Sequence, residues 1–462
     1  SALLVCLVAC GCLQARRPVA GTAEAAGGIL VVYLLPLPRD AARLSFHLEA
    51  LSAVQEDGTA LPLPLLFRDV RGDGPAFERR LAALALPPGQ YSGLTLRVSG
   101  ASLMGEEGAA ALLPLREPVP IPVPFTVEKR RGVVLALRLG DRSTVESGFR
   151  FAPTFSAAIP QWSAPGLIGV ASSRESNTVT VFDKISGKVV GVIPTGRMPA
   201  GLVVDPDRRR AYVAAAGDDT VESIGLLEQD VLRRLVLRGG DEPAELALAP
   251  DGRILLSANA GSSTVSVIDA VPMVETARIP VGNGPGSILV DRAGRRAYTF
   301  NTASSTITVL DLAARAVAGT IATEAGPLRG QFNRAGDRLF VIHRSSPYLT
   351  VIDPLTLSVT ARVYVGPGAT ALKVDPQTDR IYLARRGAGA IEVYDPLSFL
   401  PVDTIPTEGD VSFLTIDDEG NNLYLVLTEA GQVQVLRIVG KEITARADVG
   451  DGPSRVALVG ER

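Results

Sequence analysis

One short segment recurs at a fixed interval along most of the chain. Five copies carry apolar residues at alternating positions and end in Asp, and two degenerate copies end in Gly and Arg. Successive end positions are 42 residues apart, with one interval of 44, at Asp183, Gly225, Asp269, Asp311, Asp353, Asp395 and Arg437. A fixed period of about 40 residues is typical of repeat proteins, in which each repeat is one structural unit.

Each repeat has the pattern of four short antiparallel strands. A second apolar segment, such as Ala297–Asn301, precedes the recurring one, and turns rich in Pro, Asp, Asn and Gly separate them. Alternation at period two with β-branched residues favours strands, and these turn residues favour tight hairpins. A sheet this small cannot bury both faces alone, so the units must stack around an axis. We therefore predict an all-β fold with a seven-bladed β-propeller over residues 167–462.

The first and last repeats predict how the ring closes. The first set of strands, residues 167–195, lacks an inner strand, whereas the last segment, residues 454–459, has no strands after it. We expect the C-terminal strand to complete the first blade, because this pairing removes two exposed sheet edges.

The second-strand signature, with Tyr298-Thr299-Phe300-Asn301 as its nearest copy, resembles the YVTN family of bacterial surface β-propellers. The resemblance covers roughly residues 166–462. It implies the ring fold, but the function has to be argued from a site, because rings of this kind host many activities.

Residues 29–157 lack the repeat but contain short apolar segments between Gly and Pro turns, which predicts one β-sandwich domain. The segment Leu86-Pro87-Pro88-Gly89-Gln90-Tyr91 resembles the turn of prealbumin-like domains and a sandwich family of undetermined function near the N-termini of bacterial lipoproteins. The resemblance implies either carbohydrate binding or a plain spacer. Residues 158–166 are the predicted linker, with Trp162 at the junction of the two domains.

All three cysteines, Cys6, Cys10 and Cys12, lie in the first twelve residues. The apolar run there is shorter than the roughly 20 residues that span a bilayer, but it suits a secretory signal. Leu7-Val8-Ala9-Cys10 resembles the lipobox of bacterial lipoproteins, which implies cleavage before Cys10 and lipidation of its sulfur. We expect residues 1–9 to be a truncated signal peptide and residues 10–28 a lipidated tether. The alternative is an ordinary signal whose cysteines occur by chance.

Composition and motifs narrow the chemistry. The formal net charge of −3 gives no basic excess for nucleic acid. The two histidines, His47 and His343, fall in different predicted domains, and no metal, nucleophile-elbow or phosphate-loop motif is present. The sequence therefore assigns no catalytic residue, metal or cofactor.

The repeat also identifies equivalent positions at the ends of the second strands. Ten residues before each recurring end, four successive repeats carry Asn259, Asn301, His343 and Arg385, with Arg174, Arg344 and Arg386 at neighbouring positions. One interpretation is a polar arc that binds an anionic or carbohydrate ligand, with an arginine on a carboxylate or phosphate. The other is that Asn and His cap strand ends and the arginines are solvated. The Asp residues that end the third strands are expected to accept backbone N–H groups of the next turn.

The leading hypothesis is a lipid-anchored protein of the bacterial cell envelope, at the outer membrane or on a periplasmic or extracellular face. Its propeller would be a binding platform for a protein or glycan partner. Two alternatives stay open: a lactonase-like or other small-molecule hydrolase on the ring, and a carbohydrate-binding surface protein that uses the sandwich.

Overall fold

The computed structural model describes residues 27–106, 108–140, 145–146, 148–161, 167–417, 419 and 421–459. Within these ranges, helical structure is limited to two 3-10 turns, Arg39–Ala41 and Ala216–Asp218. No helix in the described part of the chain is long and apolar enough to cross a membrane. The predicted signal, Cys10 and Trp162 lie outside the described residues.

The N-terminal strands form a β-sandwich. Their bounds are β1 (Gly28–Leu34), β2 (Leu44–Gln55), β3 (Ala60–Leu63), β4 (Asp69–Arg71), β5 (Arg79–Leu86), β6 (Gly89–Gly105), β7 (Gly108–Pro114), β8 (Val119–Val127), β9 (Gly132–Leu139), β10 (Val145–Glu146), β11 (Arg150–Phe151) and β12 (Phe155–Ala158). One sheet has the order β12-β9-β1-β5, with β1 and β9 parallel. The other has the order β10-β11-β7-β6-β2-β3, and β4 and β8 also pair with it.

The turn before Tyr91 is locked into the sandwich core. The Tyr91 hydroxyl donates a hydrogen bond to the carbonyl oxygen of Pro87 at 2.9 Å, and its ring stacks on Phe125 with centroids 5.0 Å apart. Burying a tyrosine requires a partner for its hydroxyl, and the preceding turn supplies one. This turn fixes where β6, the longest strand of the domain, begins.

The remaining strands form seven four-stranded sheets. Their bounds are β13 (Ile168–Ser173), β14 (Thr178–Asp183), β15 (Val189–Pro194), β16 (Pro199–Asp205), β17 (Arg210–Ala215), β18 (Thr220–Gly225), β19 (Asp230–Val236), β20 (Pro243–Leu248), β21 (Ile254–Asn259), β22 (Thr264–Asp269), β23 (Val274–Pro280), β24 (Pro285–Val290), β25 (Arg296–Asn301), β26 (Thr306–Asp311), β27 (Ala316–Ala322), β28 (Pro327–Phe332), β29 (Leu339–His343), β30 (Tyr348–Asp353), β31 (Ser358–Tyr364), β32 (Ala369–Val374), β33 (Ile381–Arg385), β34 (Ala390–Tyr394), β35 (Pro401–Pro406), β36 (Phe413–Ile416), β37 (Asn422–Leu427), β38 (Gln432–Arg437), β39 (Glu442–Asp448) and β40 (Pro453–Leu458).

These sheets are the blades of a closed propeller. Blade 1 has the order β15-β14-β13-β40, and blades 2 to 7 take four consecutive strands each, starting at β16. The first strands contact one another in a cycle, β40-β16-β20-β24-β28-β32-β36 and back to β40, so they surround a central channel. The predicted fold class is confirmed, including closure by the C-terminal strand, which pairs antiparallel with β13 from Gly169 opposite Leu458 to Ser173 opposite Pro453.

Apolar side chains from neighbouring blades form the propeller core. Val170 and Val181 of blade 1, for example, share a buried cluster with Val213 and Ile224 of blade 2. The Asp residues that end the third strands accept backbone N–H groups, as predicted: Asp353 accepts from Leu355 at 2.7 Å and Asp395 from Ser398 at 2.8 Å.

The sandwich packs directly on blades 1 and 7. Along β1, Leu30 and Val32 enter the sandwich core, whereas Val31 and Tyr33 enter a second cluster together with propeller residues such as Val192. Side chains alternate between the faces of a strand, so β1 is apolar throughout because both of its faces are buried. The backbones also approach closely, since a Cβ added at Gly132 would lie 1.8 Å from the carbonyl oxygen of Val192.

Charged groups are buried in this contact, which we call the domain joint. The Arg80 backbone N–H donates to Asp448 at 2.9 Å, and its guanidinium Nη2 donates to Asp451 at 2.6 Å. Glu78 accepts the N–H of Val189 at 2.5 Å. Burial raises the pKa of Glu78 to about 7, and burial also raises the pKa of Asp448.

Candidate functional site

Equivalent residues of the repeat lie in all seven inner strands, as the third residue of six strands and as the first residue of β36. In blade order from blade 2 round to blade 1, these residues are Gly201, Glu245, Ser287, Arg329, Ala371, Phe413 and Arg455. We call this set the channel belt. A propeller with plain structural repeats would carry similar residues at all seven positions, but the belt contains two arginines, one glutamate, one aromatic ring and three small residues.

Two contacts between blades that are not neighbours show that four of these side chains face the central channel. Arg455 of blade 1 donates from Nε to Oε2 of Glu245 of blade 3 at 2.7 Å. The Arg329 guanidinium carbon of blade 5 lies 4.9 Å from the ring centroid of Phe413 of blade 7. Only side chains that extend into the channel can reach across it in this way. Arg455, in the blade next to that of Phe413, lies 5.1 Å from the same centroid.

Arg329 forms no ion pair in the part of the chain that the structure describes, although Glu245 attracts it at longer range. It is 8% exposed, and its Nε is buried without a hydrogen-bond acceptor. Burial, together with the positive charge of Arg455, lowers its pKa to about 9. The face of Phe413 offers a cation–π contact, but the energy of this contact is smaller than the cost of desolvating the charge. The belt therefore holds one surplus positive charge.

The inner strands on either side of the Arg329 strand carry small residues at the equivalent position. Blade 4 contributes Ser287, which is 7% exposed, and blade 6 contributes Ala371, which is fully buried in an apolar cluster. No hydrogen bond of the Ser287 hydroxyl is found among the described residues. This hydroxyl is therefore a candidate donor to a group that binds at the Arg329 guanidinium.

A cavity of about 790 Å³ opens at one end of the channel, and two residues of the channel belt, Arg329 and Arg455, line it. Its rim is built from loops that enter the inner strands and from turns after the second strands, and it carries exposed Arg174, Arg344 and Glu242. We call this cavity the channel mouth. A volume of this size accommodates a small organic molecule.

The predicted polar arc lies at the same end of the ring, but its amides are bonded inside their own blades. Asn259 is fully buried, and its Nδ2 donates to Thr264 at 3.0 Å and to Ser266 at 2.8 Å. The amide of Asn301 makes the same two bonds to the equivalent threonines, although its Oδ1 has no acceptor role in the described structure. These contacts hold the second and third strands together.

His343 and Arg385 have partners as well. His343 is fully buried, with Nε2 at 2.9 Å from the Thr323 hydroxyl and Nδ1 at 3.1 Å from the carbonyl oxygen of Tyr348. Burial lowers the pKa of His343. Arg385 forms an ion pair with Glu392 of the next strand.

Arg344 and Arg386 are both exposed, and Arg344 lines the channel mouth. The role of the whole arc in ligand binding stays a prediction.

The channel belt was not predicted from the sequence, because its residues lie on the inner strands and only the ends of the second strands were compared. A Pro begins most inner strands, and Glu245, Arg329 and Arg455 each lie two residues after such a Pro. Comparing the repeats from this Pro would have aligned the three residues. What the alignment could not supply is the pairing across the channel, which leaves one of the two arginines without a carboxylate.

No group of three or more His, Cys, Asp or Glu residues that could hold a metal ion occurs within the described ranges.

A closed ring of seven four-stranded sheets with a polar channel places the chain among the β-propellers. Its sequence matches the model of the YNCE-like beta-propeller family over residues 150–460, and the chain therefore belongs to that family. No curated relative matches the chain.

Many solved structures are similar to the chain, among them the following three. Hydrazine synthase of Kuenenia stuttgartiensis is 19% identical with a TM-score of 0.54, over 59% of this chain and 93% of that one. A functionally unknown protein from Desulfotomaculum acetoxidans DSM 771 is 10% identical with a TM-score of 0.56, over 64% and 99%. Dihydro-heme d1 dehydrogenase NirN, solved in complex with DHE, is 15% identical with a TM-score of 0.51, over 66% and 78%. At these identities the likeness shows the fold alone.

Proposed function

We propose that the protein is a lipid-anchored component of the bacterial cell envelope whose propeller is a binding platform for an anionic partner. The β-propeller is a general platform for interactions, and in this chain the channel mouth is the surface that binds. One observation carries the proposal: a buried arginine without a carboxylate, Arg329, lines an open cavity with further arginines at its rim.

Electrostatics favours an anion at this end of the ring. With a pKa of about 9 the Arg329 guanidinium is still protonated at neutral pH, so at that pH its charge is neutralised only by a negative charge. The exposed rim residues Arg174 and Arg344 add a positive field that attracts a negatively charged partner as it approaches, and that weakens as salt increases.

Crosslinking in intact envelopes tests the binding role. We expect partner molecules to be recovered with the wild-type protein and to be lost when the rim arginines are neutralised together, as Arg174→Gln with Arg344→Gln. The matched control is Arg253→Gln with Arg295→Gln. These two arginines are exposed in the turns after β20 and β24, at the opposite end of the ring. Equal losses in both double variants would contradict binding at the channel mouth.

Lipidation requires its own test, because Cys10 lies outside the described residues. The proposal rests on the likeness of residues 7–10 to a lipobox. In cells fed labelled palmitate, the wild-type protein should be labelled and Cys10→Ala should not. Equal label in both proteins would remove the anchor but would leave the binding role of the channel mouth untouched.

A further inference from the structure

We propose that the channel belt binds one carboxylate group of a small molecule, held by the guanidinium of Arg329 and the hydroxyl of Ser287. This inference rests on the proposed binding role of the channel mouth and assigns the chemistry of its deepest contact.

The net charge of the channel belt favours a ligand group that carries one negative charge. Two arginines face one glutamate, and the glutamate is engaged by Arg455 at 2.7 Å. One added negative charge therefore brings the belt to neutrality, whereas a doubly charged phosphate would leave a negative surplus in a desolvated site. Desolvation penalises every charge that is left without compensation.

The geometry of the donors favours a planar group. The two N–H groups on one edge of a guanidinium match the two oxygens of a carboxylate. Phe413 lies 4.9 Å from the Arg329 guanidinium and covers it from one side. Arg329 itself lines the channel mouth, so a ligand can reach its guanidinium from that side, and the inner strand that carries Ser287 lies next to its own. The remainder of the molecule would extend into the channel mouth, whose volume is about 790 Å³.

An unpartnered buried charge lowers the stability of the free protein, whereas a residue with a purely structural role raises it. Removing a desolvated charge that makes no ion pair stabilises the free protein, whereas removing a structural contact destabilises it. Substitution of Arg329 by a neutral residue of similar length should therefore raise the melting temperature and weaken carboxylate binding together. This pair of opposite effects distinguishes a ligand contact from a packing contact.

The experiment uses the whole chain, with acetate as the probe and inorganic phosphate as the comparison, at constant ionic strength made up with chloride. Melting temperature and calorimetric titration report binding, because a ligand that binds the folded state stabilises it. We expect acetate to raise the melting temperature in a saturable way and phosphate to do so at least tenfold more weakly. In Arg329→Met the acetate affinity should fall at least tenfold, and the melting temperature without acetate should equal or exceed that of the wild type.

Two further variants complete the test. Arg362→Met removes an arginine from the outer strand of the same blade, where it pairs with Glu324, and should leave acetate binding unchanged. Arg329→Lys keeps the charge but loses the planar fork, and should bind acetate more weakly than the wild type while remaining folded.

Three results would overturn the inference: acetate that binds no more tightly than phosphate, acetate binding that survives in Arg329→Met, or an Arg329→Met protein that without acetate is less stable than the wild type. None of these results removes the proposed function, whose own test is the recovery of partners by the rim variants in envelopes. Conversely, acetate binding that depends on Arg329, without partner recovery through the rim, would leave the carboxylate site and remove the platform.

Discussion

The channel belt and the domain joint both bury charged side chains, but their surpluses have opposite signs. At the joint, Arg80 faces the carboxylates of Asp448 and Asp451, and Glu78 is buried nearby. In the belt, two arginines share one carboxylate. A carboxylate surplus can be removed by a proton, and burial indeed raises the pKa values of Glu78 and Asp448. At neutral pH the arginine surplus is not removed in this way, because even a pKa lowered to about 9 keeps Arg329 charged.

The difference shows which buried charges point to a ligand. The surplus of the joint consists of carboxylates that are hydrogen-bonded or able to take a proton, and Arg80 is paired through Nη2 although its Nε has no acceptor in the described structure. The belt is complete only with an added anion. The predictions below separate the two regions by stability, by pH dependence and by anion affinity.

The largest expected effect is at the joint. Arg80→Met removes the only side-chain cation that faces Asp448 and Asp451 at short range in the described structure. Asp448 keeps the backbone N–H of residue 80 but loses its compensating charge, whereas Asp451 is half exposed. Breaking a buried ion pair from one side costs about 3–5 kcal/mol, and we expect the lower end, about 3 kcal/mol of unfolding free energy. Denaturant unfolding measures this cost. Arg97→Met, on an exposed position of the same sandwich, is the control and should change stability by less than about 0.5 kcal/mol. Similar losses in both variants would contradict a charged joint.

The pH dependence of the joint follows from Glu78. Burial raises its pKa from an ordinary 4.5 to about 7, so the folded state binds more protons than the unfolded state between these values. Stability that is present at low pH is therefore lost as the pH rises through about 7, by up to about 3 kcal/mol. Glu78→Gln keeps an acceptor for the Val189 N–H and should flatten the stability–pH curve in this range. A wild-type curve that rises from pH 5 to pH 7 would have the wrong sign.

The fold was predictable because its determinants are local and repeated. The third strands end where the repeat places them, for example at Asp183, Asp269 and Asp311, and the closing strand pairs with the blade that lacked an inner one. Strand β5 of the sandwich, in contrast, was not predicted. Its residues, Arg-Arg-Leu-Ala-Ala-Leu-Ala-Leu, lack β-branched side chains and favour helices. Pairing with β1 outweighs this local preference.

For the candidate site, the sequence predicted only at which end of the ring it lies. Residue type placed Asn259 and His343 at strand ends near the mouth, but it could not show that both side chains bond within their own blades. It also could not show that Arg455 takes the single carboxylate of the belt and leaves Arg329 without one. Such pairings join residues that are remote in sequence, and they emerge only from the closed ring.

An effect of intermediate size on stability and on acetate affinity is expected when the surplus positive charge of the channel belt is increased. Glu245→Gln removes the carboxylate from Arg455 and should cost about 2 kcal/mol of stability. It should also strengthen acetate binding by about tenfold, because two arginines would then attract one anion. Glu242→Gln removes the same charge at the exposed rim, where solvent and salt screen it, and should change the acetate affinity by less than about twofold. Calorimetric titration of both variants measures the difference. Weaker acetate binding in Glu245→Gln would mean that the glutamate, rather than the arginine surplus, organises the belt.

The smallest expected effects are those of removing one of two serine hydroxyls of the ring, and they should differ between the two serines. Ser287→Ala removes a donor of the belt that has no intramolecular partner in the described structure. It should weaken acetate binding by roughly fivefold, or about 1 kcal/mol, and leave stability within about 0.5 kcal/mol of the wild type. Ser257→Ala removes a hydroxyl that donates to Oδ1 of Asn259 at 2.9 Å, and should instead cost about 1 kcal/mol of stability with no change in acetate affinity. This crossed pattern is expected only if the polar groups of the strand ends serve the fold while those of the belt serve a ligand. Equal effects of the two variants on stability would place Ser287 among the structural hydroxyls and leave Arg329 as the only anion contact in the belt.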